Sequence, residues 1–201
     1  MRLRGPKVKI ARALGIPLTP KAIRVMENRP NPPGQHGAAA ASRRKISNYK
    51  RQLVEKQRLR AQYNVSEAQL RRAFAAAVRQ GGNTGERLLI LLERRLDAVV
   101  YRAGLARTIF AARQLVSHGH VRLDGKKVNT PAQLVSPGQR VSLSDKAREI
   151  PQVVLSLSTA RPPAYLTLEN DKGAVILREE PTADKIPVIV QAALIVEYFS
   201  R

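Results

Sequence analysis

The stretch that decides the fold is residues 91–128, LLERRLDAVVYRAGLARTIFAARQLVSHGHVRLDGKKV. Its pattern predicts two short helices followed by the first strand of a hairpin. In the first helix, Asp97 is placed to cap or support the start and Gly104 to end it. The core-facing stripe of that helix consists of Leu96, Val99, Val100 and Leu105.

The second predicted helix has two different faces. Thr108 is placed to cap it and Gly119 to stop it. Its apolar face consists of Ala112, Leu115 and Val116, and its polar face of Phe110, Arg113, Gln114 and Ser117. That polar face has two interpretations, a surface exposed to solvent or a surface that contacts phosphates and base edges. The rest of the chain decides between them.

Two hairpins are predicted downstream. Asp124-Gly125 lies between VRL and KKV, which is a strong short-range hairpin signal. A further strand is predicted around residues 141–143, after the turn at Pro137-Gly138. Residues 165–168 and 174–177 are rich in β-branched and apolar residues and flank a turn at 171–173, which predicts the second hairpin.

Composition indicates a globular protein with room for one large or two small domains. The chain has 201 residues, of which 43% are hydrophobic, and no cysteine. Disulfides and thiolate metal sites are therefore excluded, and a cytoplasmic location fits. No apolar run approaches the roughly 18 residues that a membrane span requires, and no signal-peptide region follows the basic N-terminus.

The net charge of +21 is unevenly distributed. Residues 1–90 contain 20 Lys and Arg against 4 Asp and Glu, and residues 91–150 contain 11 against 5. Residues 151–201 contain 5 against 6. A polyanion suits the basic half because each neutralised phosphate releases counterions. A membrane partner is disfavoured because the basic helices lack a face rich in Trp, Phe and Leu.

Residues 1–46 are expected to form a basic, irregular arm. The segment RPNPPGQHG (29–37) contains too many prolines for a helix or a sheet and predicts a tightly turned loop. Its Gln35 and His36 place donors beside an open backbone, which suits close approach to a phosphate. A disordered tail is the alternative, and we expect the arm to become ordered on its partner.

Helices are predicted on either side of the central stretch. Ser47 or Asn48 caps a basic helix that runs to about Gln62, and Ser66 with Gln69 forms a capping box for the next. Thr84 is expected to cap a third helix, whose residues 88–92 are apolar on all sides and should be buried. Residues 188–199 have a composition that fits strand or helix, and their spacing favours helix.

Sites for catalysis or metal binding are poorly supported. GGNTGE (81–86) has Glu86 where a nucleotide-binding loop needs its lysine. There is no GxSxG elbow and no cysteine nucleophile. His118 and His120 are spaced to chelate a metal, but no third ligand lies nearby in the sequence. The sequence therefore predicts a binding protein, with no cofactor, no metal and no small-molecule substrate.

Several motifs together resemble one family. The central stretch is similar to the RNA-binding module named after small-subunit ribosomal protein S-four. NRPNPPGQHG, EKQRLRAQYNVSEAQLRRAF with GNTGERLLILLERRLD, and the terminal LIVEYFSR resemble the bacterial S-four family outside that module. The resemblance implies an α+β fold in which residues 47–91 and 182–201 form a helical domain. Residues 92–181 form an inserted domain of two short helices packed on an antiparallel sheet, and 1–46 form the extension.

The resemblance also implies a function. Family members bind the 5′ domain of small-subunit ribosomal RNA, start subunit assembly, line the messenger-RNA entry path and influence accuracy. The implied partners are that RNA, messenger RNA and neighbouring small-subunit proteins, notably the fifth and third. The alternatives are a free-standing RNA binder, or an RNA-modifying enzyme carrying the same module. An enzyme would need a separate catalytic domain, for which the residues outside the module leave no candidate.

Two departures from the family pattern affect the expected site. Many relatives carry metal-binding cysteines in the N-terminal segment, whereas residues 12–29 contain none, so we expect RNA and prolines to order that segment. Relatives commonly have arginine and a polar residue after the cap at Thr108, where this chain has Ile109-Phe110-Ala111. Phe110 is therefore expected either to stack on a base or to pack against a neighbouring protein.

The expected RNA contacts are mostly cations, with a few amides and histidines. They are Arg2, Arg4, Lys7, Lys9, Arg12, Gln35, His36, Arg43, Arg44, Lys50, Lys56, Arg58, Arg72, Arg95, Arg102, Arg113, Gln114, His118, His120 and Lys126.

Overall fold

The computed structural model describes residues 5–37, 46–169 and 173–200. The chain divides into two compact units. Unit 1 contains Met1–Gly85 and Val188–Arg201, and unit 2 contains Glu86–Pro187. The domain boundaries expected from the resemblance remain a prediction.

The N-terminal segment contains two helices, α1 (Lys7–Leu14) and α2 (Pro20–Asn28), so the prediction of an irregular arm is wrong for these residues. Gly15 ends α1 with a φ of 67°. Thr19 Oγ1 accepts a hydrogen bond from the Ala22 amide at 3.2 Å, and Pro20 at the first helical position starts α2. The prolines that break regular structure are confined to the following loop.

Unit 1 continues with α3 (Asn48–Gln62) and α4 (Glu67–Gln80). Ser47, and not Asn48, caps α3, because its Oγ accepts the Lys50 amide at 3.3 Å. The predicted capping box is confirmed, with both hydrogen bonds between Ser66 and Gln69 present. Local sequence therefore determines where both helices begin.

The C-terminal segment is a helix, α10 (Ala192–Phe199), which packs against α3. Ile195 is fully buried in that packing. Gln52 Nε2 donates to Glu197 Oε2 at 2.8 Å, and the Gln191 amide donates to Glu55 Oε2 at 2.9 Å. A segment far along the chain thus completes the core of unit 1.

Helix α5 (Thr84–Glu93) begins at a cap different from the predicted one. Asn83 Oδ1 accepts the Gly85 amide at 3.1 Å, so Asn83 caps the helix in place of Thr84. The leucines predicted to be buried are buried, with exposures of 1% for Leu88 and 1% for Leu92.

In unit 2 two central helices cover an antiparallel sheet, which confirms the α+β class. The helices are α6 (Leu96–Arg102) and α7 (Ile109–Ser117). The strands are β1 (Val121–Leu123), β2 (Lys126–Val128), β3 (Arg140–Leu143), β4 (Leu166–Leu168) and β5 (Ala174–Leu177), in the order β2-β1-β3-β5-β4. Asp124 and Gly125 have φ values of 49° and 78°, so the first hairpin turns through two left-handed residues as its sequence predicts.

The core of unit 2 lies where α6 and α7 cover the sheet. The predicted stripe on α6 is confirmed, because Leu96, Val99 and Val100 are all buried. They share one cluster with Ala112, Leu115 and Val116 of α7 and with the inward residues of the strands. Burial of this apolar area is the main favourable contribution to the stability of the unit.

Sequence analysis missed two short helices after β3, α8 (Asp145–Arg148) and α9 (Pro151–Ser158). Pro151 occupies the first position of α9, where proline is preferred, and this residue is the signal in the sequence for that helix. A short 3₁₀ helix, Ala183–Lys185, follows the sheet.

Gly104 provides a stability prediction. Its φ is +74°, and a Cβ built there would lie 2.5 Å from Ala160 Cβ and 2.9 Å from Ala160 Cα. We expect Gly104→Ala to lower the free energy of unfolding by about 2–4 kcal/mol, because backbone strain and overpacking add. Gly138→Ala is the control, since Gly138 has a φ of +85° and a Cβ added there would meet nothing within 4 Å. Equal losses in chemical denaturation would refute the steric contribution.

Candidate nucleic-acid interface

The exposed cations of unit 1 that were predicted to contact RNA lie on α1, α3 and α4. Lys7 and Lys9 are exposed on α1, Lys50 at the start of α3 and Arg72 on α4. These four predicted contacts therefore present their charge to solvent. Arg2, Arg4, Arg43 and Arg44 lie outside the described residues, and their predicted contacts remain predictions.

Arg12 organises the loop that follows α2. Its Nε donates to the Arg29 carbonyl at 3.1 Å and its Nη2 to the Asn31 carbonyl at 2.8 Å. These bonds hold the proline-rich loop against α1, which leaves Gln35 and His36 exposed. Arg12 is half-buried and supports that loop directly.

Lys56 differs from the exposed cations, because its side chain is directed inwards. It is 4% exposed and donates to Glu67 Oε1 and to Tyr198 Oη, both at 3.1 Å. Its Nζ also lies 4.1 Å from the centroid of the Tyr198 ring. The hydrogen bond from Lys56 lowers the pKa of the Tyr198 phenol. Lys56 therefore joins α3 to α4 and α10, and its predicted RNA contact remains a prediction.

Arg95 and Arg113 are also directed inwards. Arg95 binds the Asp97 carboxylate in a bidentate fashion, with Nε and Nη2 donating at 3.0 and 2.9 Å. Arg113 Nη1 donates to Asp97 Oδ2 at 3.2 Å. Arg95 and Arg113 are each 6% exposed and Asp97 is fully buried. Burial raises the pKa of the Asp97 carboxyl, and the two guanidiniums oppose the increase. This triad joins α6 to α7, and the predicted RNA contacts of the two arginines remain predictions.

Arg58 and Arg102 are half-buried beside acids. Arg58 Nη1 lies 2.6 Å from Glu55 Oε1, and Arg102 Nε lies 2.6 Å from Glu93 Oε1. Tyr165 Oη also donates to Glu93 Oε1 at 2.7 Å. Burial and the neighbouring Glu93 charge raise the pKa of the Tyr165 phenol. The predicted RNA contacts of these two arginines remain predictions.

The surface of unit 2 around α7 carries the other predicted residues. Gln114 and His118 are exposed, and His120 and Phe110 are half-buried. Thr108 Oγ1 accepts the Ala111 amide at 3.1 Å, which confirms the predicted cap and sets the direction of the helix. Lys126 is exposed on β2. Without Arg113, this face is narrower and less charged than the helical pattern predicted.

Sequence analysis missed several exposed cations in both units. Among the described residues they are Lys21, Arg24, Arg29, Arg107, Arg122, Lys127, Lys146, Arg161, Arg178 and Lys185. The alternation of apolar and polar residues in β1 indicates that Arg122 is exposed, because Val121 and Leu123 on either side of it point into the core.

Metal ligation and membrane insertion find no support in the part of the chain that the structure describes. No group of three or more His, Cys, Asp and Glu residues is arranged there to hold a metal ion. None of the helices described is long and apolar enough to cross a bilayer.

Comparison with known proteins gives matches along the whole chain. Residues 2–93 match the family model described as "Ribosomal protein S4/S9 N-terminal domain", and residues 94–141 match the "S4 domain". The chain is 48% identical to the small ribosomal subunit protein uS4 of Streptomyces avermitilis, over 98% of this chain and 97% of the relative. It is 45% identical to the protein of the same name from a Geobacillus species, over 100% of this chain and 99% of the relative.

Proposed function

Since this chain belongs to the small ribosomal subunit protein uS4 family, we propose that it binds the 5′ domain of small-subunit ribosomal RNA and helps to start subunit assembly. The chain is a structural, non-enzymatic component of the small ribosomal subunit. The proposal includes a cytoplasmic location, contacts with the neighbouring fifth and third small-subunit proteins, and a role at the messenger-RNA entry path in decoding accuracy.

One observation carries the RNA-binding proposal: key acids are buried in ion pairs while many cations are exposed. Glu55, Glu93 and Asp97 are 5%, 1% and 0% exposed, and each lies beside an arginine. The negative charge of these three groups is neutralised inside the protein. Because these ion pairs take positive as well as negative charge from the surface, the excess of Lys and Arg remains on the exposed residues, which favours a polyanionic partner.

The mechanism we propose is phosphate neutralisation by the exposed cations, combined with recognition of the shape of a folded RNA junction. Lys7, Lys9, Lys50 and Arg72 would contact the RNA backbone from unit 1, and Lys126 from unit 2. Gln35, His36, Gln114, His118 and His120 would supply the shorter polar contacts.

Salt dependence of binding tests this mechanism. We expect Lys50→Gln and Arg72→Gln each to weaken binding to 5′-domain ribosomal RNA and to flatten the slope of log affinity against log salt by about one unit. Lys185→Gln is the control, because Lys185 pairs with Glu179 in the neutral C-terminal part. Slopes that match the wild type in both test variants would show that neither side chain contacts phosphate.

Specificity is tested separately by competition. The wild-type protein should prefer the 5′ domain to an unrelated structured RNA of the same length at physiological salt. Equal affinity for the two RNAs would refute the proposed function, because charge alone would then account for binding.

A further inference from the structure

A cavity of about 200 Å³ lies in unit 2 between α7, the loop before it and the start of α9. Its apolar wall is formed by Ala106, Ala111, Leu115, Ile150 and Val153. Drug-sized ligands occupy pockets of roughly 300–1,000 Å³, so this one has room for a single planar ring and little more.

The rim of the cavity is polar and carries no acidic residue. Arg107, Gln114, His118 and His120 line it, and the first three are exposed. The two imidazole rings lie 6.2 Å apart. A guanidinium binds phosphate oxygens well, and arginine and histidine side chains also stack on bases. The rim therefore suits an anionic ligand that carries a ring.

We propose that the cavity takes one unpaired nucleotide of the bound RNA. The base packs against Leu115 and Val153, and Gln114 hydrogen-bonds to its polar edge. Arg107 and His118 contact the adjoining phosphate. Sequence-specific proteins recognise RNA mainly through unstacked bases in loops and bulges, which is the ligand that this arrangement fits. The inference rests on the proposed function and adds a contact that recognises one base of the RNA.

A nucleotide fits better than an acidic peptide, although both would satisfy the charge. An aspartate or glutamate side chain would use the cationic rim but leave the apolar wall empty. A nucleotide base suits both the wall and the rim, because its apolar face packs on the wall and its edge offers donors and acceptors to the rim. The acidic peptide is retained as an outcome of the experiment.

Filling the cavity without changing charge is the test. Ala111 lies on α7 and lines the cavity, and leucine is nearly as good a helix former as alanine. Ala111→Leu should weaken binding to 5′-domain ribosomal RNA about tenfold at every salt concentration, since stacking of one base is lost, with the salt slope unchanged. The control is Ala75→Leu, the same change at an exposed position of α4.

Arg107→Gln complements that experiment. It should flatten the salt slope by about one unit, because it removes a phosphate contact and leaves the cavity open. If Ala111→Leu binds as Ala75→Leu does while the wild type still prefers the 5′ domain, the cavity proposal is overturned and the proposed function stands. If the wild-type protein does not prefer the 5′ domain, both the cavity proposal and the proposed function are overturned.

Methyl NMR of the wild-type protein removes any dependence on folding of the variants. Millimolar adenosine 5′-monophosphate should shift the methyl signals of Leu115, Ile150 and Val153, and inorganic phosphate alone should shift them much less. Shifts with a penta-glutamate peptide and none with the nucleotide would overturn the proposal in favour of a protein partner. Equal effects of phosphate and nucleotide would overturn the role of the base.

Discussion

Asp97→Asn should be among the most damaging single substitutions in unit 2, with an expected loss of about 3–5 kcal/mol of unfolding free energy. The side chain keeps its size but loses the charge that neutralises Arg95 and Arg113. Those two arginines are each 6% exposed, so water cannot replace the carboxylate without opening the helix pair. Arginine does not release its proton, which leaves two uncompensated buried charges.

Chemical denaturation measures this loss, and hydrogen exchange locates it. Amide protection should fall most in residues 96–117, which contain α6 and α7. Asp145→Asn is the matched control, because Asp145 is exposed in the first turn of α8. We expect it to change stability by no more than about 0.5 kcal/mol. Similar losses for the two variants would contradict the role of the buried triad.

A triple variant separates charge from packing. Asp97→Leu combined with Arg95→Met and Arg113→Met removes all three buried charges and keeps apolar volume. Such replacements are often neutral or stabilising, so the triple variant should be more stable than Asp97→Asn alone. A greater loss in the triple variant would show that hydrogen-bond geometry, and not charge neutralisation, is the main contribution.

Removal of residues 188–201 is expected to have the largest effect on unit 1. The deletion takes away α10, exposes the side of α3 that buries Ile195, and removes one hydrogen-bond partner from each of three buried side chains of α3. Gln52 loses Glu197, and Glu55 loses the Gln191 amide. Lys56 loses the Tyr198 hydroxyl. Lys56 keeps Glu67 and Glu55 keeps Arg58. The exposed apolar side chains cost about 2–5 kcal/mol and each lost hydrogen bond about 0.5–1.5 kcal/mol, so the sum approaches the whole stability of a small domain.

Hydrogen exchange should show loss of protection in residues 48–80 of the truncated protein, and its affinity for 5′-domain RNA should fall with it. Glu197→Gln is the mild control, because the amide can still accept from Gln52 and the helix remains in place. Ile195→Ala should lie between the two, with a loss of about 2–5 kcal/mol. Unchanged protection of α3 in the truncated protein would contradict this account of unit 1.

Local patterns in the sequence predicted most elements correctly. Periodicity predicted α4, α6 and α7, capping residues located the starts of α4 and α7, and Asp124-Gly125 located the first hairpin. The expected cap Asp97 instead lies inside α6, which begins at Leu96 without a side-chain cap. The failures have local causes too. The proline-rich loop outweighed the helix signals at Thr19-Pro20, and Pro151 was not recognised as the start of α9.

The candidate site was less predictable, because the sequence does not show which acidic side chain a given Lys or Arg pairs with in the fold. Arg113 on a polar helix face resembles Arg72 on another, yet Arg113 is buried and Arg72 is exposed. The difference is Asp97, which lies 16 residues before Arg113 and is brought to it only when α6 packs on α7. The same holds for Lys56, whose hydroxyl partner Tyr198 is 142 residues away.

Composition, capping and period thus determined that this protein is a basic α+β molecule, because those signals act within a few residues. Tertiary structure alone decided which charges are available to an RNA. The ion pairs Arg113–Asp97 and Lys56–Glu67 join side chains on different helices, and only the packing of those helices takes the partners out of water together. The stretch at residues 91–128 accordingly holds its own fold through Asp97 and presents a smaller cationic surface than its sequence predicted.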